Sequence, residues 1–146
     1  MKEQSGRSMI EIIGVLAIGV IMIAAAYNMY KSIDNRQKRL IASETIADVA
    51  KKTKILYEFS GYTNASINDL VAKGAMSDSA TPIGSGWSIN SESDGTEFSI
   101  RVTGLSYDEC KYFSMKKADW AYVVKAGTSN SCTKNSNSNQ MWFFVK

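Results

Sequence analysis

One carboxylate, Glu11, stands at the head of an apolar run from Ile12 to Tyr27, and no further charge occurs until Lys31. A carboxylate beside lipid costs ~2.5–3.5 kcal/mol at the centre of a membrane helix and less near its end, so it is kept only for a purpose. It needs a cation, and the apolar segment holds none. The nearest source is an amine brought by another copy of the chain. The second chemistry-bearing pair is Cys110 and Cys132, the only cysteines. They are either one disulfide or two free thiols. An even pair beyond a membrane segment reads as a disulfide in an oxidising compartment. Such a bond would tie a capped helix to the polar loop Gly127–Gln140 and is worth ~3 kcal/mol in the chain-entropy model.

Other chemistry is sparse. The chain has no histidine, which removes the commonest general base and metal ligand. It has no C-x-x-C pair, no glycine-rich phosphate loop and no internal repeat. No catalytic residue, cofactor or metal site is expected, and an enzyme has no residue constellation behind it. The net charge of +3 gives no nucleic-acid footprint, and nucleic acid is not an expected partner. Lys111, Lys116, Lys117 and Lys125 do lie near Tyr112, Phe113, Trp120 and Tyr122. Such a mixture is more often a solvated face over a core than a phosphate-binding or adhesive patch. The Asn/Ser-rich stretch 128–139 reads either as an exposed tip or as a plain loop.

The elements that must carry these residues begin with reach. A helix rises about 1.5 Å per residue, so ~20 residues cross the hydrocarbon core, and the uncharged stretch from Ile12 to Tyr30 suffices. A signal peptide cut near Ala24-Ala25-Ala26 is the simpler alternative, but the apolar run is long for a signal core. From Lys31 to Ser60 there is neither proline nor glycine. Ala42, Ile46, Val49, Thr53 and Leu56 recur at helical spacing, with Ile33 and Leu40 upstream. The membrane helix is therefore expected to continue to about Phe59, its second half amphipathic and buried against a domain. A hinge near Asn28 is the alternative. Lys31, Arg36, Lys38 and Arg39 behind the apolar run would hold the C-terminal side in the cytoplasm by the positive-inside rule. The cysteine pair places it in an oxidising compartment, and that placement is adopted.

Gly6-Arg7-Ser8-Met9-Ile10-Glu11, followed by an apolar helix, resembles the N-terminus of a type IV prepilin. The resemblance implies a leader at 1–6, cut between Gly6 and Arg7 by a prepilin peptidase, with Arg7 the N-methylated terminus. It implies that Glu11 neutralises the Arg7 amine of a neighbouring copy during assembly. It implies a head in the periplasm, a helix in the inner membrane before assembly, an assembly platform as partner, and a homo-oligomeric helical filament afterwards. Adhesion, motility, conjugation or DNA uptake are the roles it brings. A minor pilin or a pseudopilin of a type II secretion-like machine would share these features. From another class, a single-pass periplasmic binding module would share only the anchor. Arg7 stands where the family has Phe or Met, and Asn28 where it often has a helix-kinking proline.

The remaining chain reads as an α+β head, 60–146, behind a helix with an assembly half at 7–30 and an amphipathic half at 31–59. Gly61 is placed to cap the long helix, Ser66 to open a short one and Gly74 to end it. Trp87-Ser88-Ile89 and Phe98 to Val102 alternate as strands around a turn at Ser93-Asp94-Gly95. Ser106 to Glu109 is a capping box, predicting a helix from Tyr107 to Lys117. Trp120–Val124 and Met141–Val145 complete an antiparallel sheet of about four strands. The order W-S-I, F-S-I, a cysteine-bearing helix and N-S-N-Q-M-W-F-F is similar to type IVb pilins, while the short leader is more like type IVa.

Overall fold

The computed structural model describes residues 3–116 and 118–146, with side chains described from residue 8 onward. Met1, Lys2 and Lys117 lie outside the described residues. The expected cleavage site at Gly6 and Arg7 is described by its backbone alone. The chain forms two compact units, Met1–Gln37 and Lys38–Lys146.

Helix α1 runs from Glu3 to Tyr57 without a break at Asn28. The absence of proline from Glu3–Tyr57, and of glycine after Gly19, leaves no local cause for a kink near Asn28. Within the second unit its buried residues are Ala42, Ile46, Val49, Ala50, Thr53 and Tyr57. The stripe from Ala42 to Thr53 is as expected, with Ala50 added, but the upstream Ile33 and Leu40 are exposed, and at the C-terminal end Leu56 is exposed and Tyr57 takes its place. A 3.6-residue period drifts, so the step after Thr53 is four residues, not three. Buried Thr53 satisfies its hydroxyl by donating to the Val49 carbonyl at 2.8 Å. At the C-terminus the Gly61 N–H donates to the Tyr57 carbonyl at 3.0 Å, with φ +76° at Gly61.

Helix α2, Ile67–Ala72, opens on Ser66, whose hydroxyl accepts from the Asp69 N–H at 3.2 Å. It closes with Gly74 donating to Val71 and Ala75 to Leu70, the paired bonds of a Schellman motif. The Tyr57 hydroxyl donates to the Asp69 carboxylate, and Lys73 pairs with the same group at 2.8 Å while lying 4.2 Å over the Tyr57 ring. These contacts fasten the end of α1 to α2.

The sheet comprises β1 (Gly86–Glu92), β2 (Glu97–Leu105), β3 (Val123–Ala126) and β4 (Asn139–Val145). Its order is β1-β2-β4-β3, antiparallel throughout. Ile89 pairs with Ile100 and Ile100 with Phe143, so one face carries the apolar set. That face, the buried stripe of α1 and helix α3 (Tyr107–Met115) share one core, in which Phe98, Ile100, Leu105 and Met141 have no solvent contact. Gly104 sits in a break of register between Val102 and Leu105 at φ +73°, and a Cβ there would meet the Ser85 backbone nitrogen at 2.7 Å.

Three expected boundaries are corrected. The third strand begins at Val123, not Trp120: Ala121 closes a turn onto Ala118, and Trp120 packs its ring 5.3 Å from Phe143 instead of joining the ladder. Helix α3 ends at Met115, where Lys116 turns to extended backbone. The fourth strand begins at Asn139, inside the expected loop, because Asn139 anchors its own start (below).

Candidate functional site

Glu11 lies on α1 among side chains that touch little else. From Met9 to Tyr30 every large apolar residue is more than half exposed. The helix includes an 18-residue window of mean hydropathy 2.5, none of it buried, long and apolar enough to cross a membrane. A helix that is apolar all round has either lipid or other helices as its surroundings. Glu11 is itself exposed and has no ion-pair partner among the described residues. A Cβ added at Gly14 or Gly19 would have nothing within 4 Å, so both positions present bare backbone on this surface. Small residues at a helix surface allow a second helix to approach closely in lipid.

The head has its own lock. Cys110 and Cys132 form a disulfide, with Cα atoms 5.8 Å apart. Cys110 is held on α3 by the expected capping box. The Ser106 hydroxyl accepts from the Glu109 N–H at 3.4 Å, and the Glu109 carboxylate accepts from the Ser106 N–H at 2.8 Å. Its sulfur is fully buried and sits 3.8 Å from that of Met141. The other end is fixed by Asn139. The Asn139 amide donates to the Thr133 and Ser136 carbonyls at 3.1 Å each, and its oxygen accepts from the Thr133 N–H at 2.7 Å. A polar segment with almost no apolar anchors is thus closed at Cys132 and knotted at Asn139.

The lysines weighed as a patch are divided among separate rings. Lys111 lies over Tyr107, Lys116 over Tyr112 and Lys125 over Phe144, while Phe113 is buried and Trp120 packs against the core. At the end of the sheet the Tyr122 hydroxyl donates to Glu97 at 2.5 Å, and Lys146 pairs with Glu97 at 3.3 Å. The bond from Tyr122, aided by Lys146, holds the Glu97 carboxyl below its ordinary range. The same bond pushes the Tyr122 phenol up, and burial followed by the charge of Glu58 raises Tyr62. Among the described residues no group of three or more acidic, cysteine or histidine side chains could hold a metal.

The class defined here is an α+β protein with one candidate membrane span and a disulfide-locked head. Compared with known proteins, the chain matches no family model and no curated protein.

Sequence reasoning missed two features. Phe59, at the turn that ends α1, is 99% exposed. A cleft of about 230 Å³ opens between α1 and the α3–β3 segment, lined by Ile46, Ala47, Phe113, Trp120 and Phe143. Phe59 could have been noticed as an aromatic beside the glycine cap. The cleft had no linear signal, because its walls come from three distant parts of the chain.

Proposed function

We propose that the chain is a structural subunit of a type IV pilus-like filament. On this reading a prepilin peptidase removes residues 1–6, and Arg7 becomes the methylated terminus. The subunit waits in the bacterial inner membrane with its head in the periplasm. It is then drawn by an assembly platform into an extracellular helical filament.

One observation carries the reading: Glu11 has no ion-pair partner among the described residues and lies on an apolar helix segment whose large side chains are all mostly exposed, while the head has a core of its own. A solitary anchor has no use for the acid. In a bundle of copies, Glu11 of one subunit and the amine at Arg7 of the next neutralise each other, and each removes the other's cost of burial. Gly14 and Gly19 let neighbouring backbones come close. The head's disulfide supports an extracytoplasmic location.

The test is Glu11→Ala in cells that express the assembly machinery, with filaments sheared off and counted by electron microscopy. The parent is expected to give filaments, and the variant to remain in the membrane with a normally folded head. Equal filament numbers from parent and variant would sink the proposal.

A further inference from the structure

We infer that Phe59 of one copy seats in the cleft beside Trp120 of another, and that this head-to-head contact repeats along the filament. The inference rests on the filament reading above and names a contact that reading leaves open.

The knob is unusual. Phe59 is 99% exposed at the close of α1, and Ile55, one turn earlier, is 71% exposed. Phe59 is the most exposed large apolar side chain among the described residues, and with Ile55 and the partly exposed Leu56 it concentrates apolar surface at one end of α1, the kind of surface that marks a contact with another protein. The hole is on the same molecule. Ile46, Phe113, Trp120 and Phe143 give the cleft apolar walls, and its volume is about 230 Å³. A cavity of ~150 Å³ suffices for a benzene ring.

Charges around the two surfaces match. Glu58 and Lys54 flank the knob, both exposed. Lys116, Glu44 and Asp119 line the cleft rim. Lys54, Glu44 and Asp119 have no ion-pair partner among the described residues. Docking brings Glu58 towards Lys116 and Lys54 towards the acids. That matching selects a second copy of this chain as the occupant, since both halves of the contact are carried by every subunit.

The two surfaces also lie at different heights. Along α1, Phe59 is ~12–15 residues beyond the cleft residues Glu44 and Ala47, roughly 20 Å at the helical rise. A knob and a hole displaced along one axis make a heterologous contact. Such a contact does not close on itself, and it propagates as an open helix of subunits.

The test places the photo-crosslinker p-benzoylphenylalanine at position 59 of the full chain and irradiates sheared filaments. The expected product is a covalent dimer whose linked peptide contains Phe113 or Trp120. Phe59→Ser is the second arm. It leaves the tryptophan fluorescence of the head unchanged, because the side chain touches nothing within it, yet lowers sheared filament yield at least tenfold. Crosslinks that map elsewhere, irradiated filaments that yield no dimer, or Phe59→Ser filaments as abundant as the parent's overturn this contact and leave the filament reading standing. Absence of filaments from the parent overturns both.

Discussion

Reducing the Cys110–Cys132 bond should lower the stability of the head by an amount that chain entropy sets. The sequence separation is 22, and the loop-closure relation then gives about 3 kcal/mol at 25 °C. Reduction in place is cleaner than substitution, because both sulfurs stay and only the cross-link is lost. Trp87, Trp120 and Trp142 all lie in the second unit, so tryptophan fluorescence reports on the head alone. Urea titration of the full chain in detergent micelles, with and without a phosphine reductant throughout, is the assay. With a slope of ~1.5 kcal/mol per molar urea for a domain of this size, the midpoint should fall by about 2 M. A fall below ~0.5 M would refute the reasoning. It would mean that the reduced unfolded chain keeps the segment closed through residual structure, or that the bond strains the folded head, so that the cross-link gives little net stabilisation.

Two further outcomes are expected from the same titration. Ile46→Ala, at a position with no solvent contact, should cost about 3 kcal/mol, whereas Ile41→Ala, 62% exposed, should stay within ~0.5 kcal/mol; equal costs would contradict the placement of the helix stripe. The lowered Glu97 carboxyl contributes stability that is present above its unfolded-state value and fades as pH falls through its folded-state value. Acidification through the carboxylate range should therefore weaken the parent more than Glu97→Gln, and parallel pH profiles for the two would show that the Tyr122–Glu97–Lys146 cluster has no such role.

Elements with a strong local signal could be read from the chain directly. Helix α1 follows from thirty residues without a breaker and from the spacing of Ala42, Ile46, Val49 and Thr53. The capping box at Ser106 and Glu109 marks the start of α3 to the residue. Legibility failed where tertiary contacts outvote local pattern. Trp120 looks like strand by composition, but its ring is satisfied by Phe143 in a turn. Asn139 and Gln140 look like loop, but Asn139 is buried with its amide bonded to Thr133 and Ser136, and Gln140 accepts from Arg101 on β2 at 2.8 Å. The placement of β4 between β2 and β3 has no local trace at all. Of the candidate site, Glu11 is visible because a lone charge in an apolar run is a local anomaly. The cleft is not, since Ile46, Phe113 and Phe143 meet only in the folded head.

The most direct test of the whole account is the intact mass of the chain recovered from sheared extracellular filaments. Assembly through a processed helix predicts a mass lacking Met1–Gly6, with one methyl added at Arg7 and two hydrogens absent for the Cys110–Cys132 bond. A full-length chain, found only as a monomer in the membrane, would contradict it.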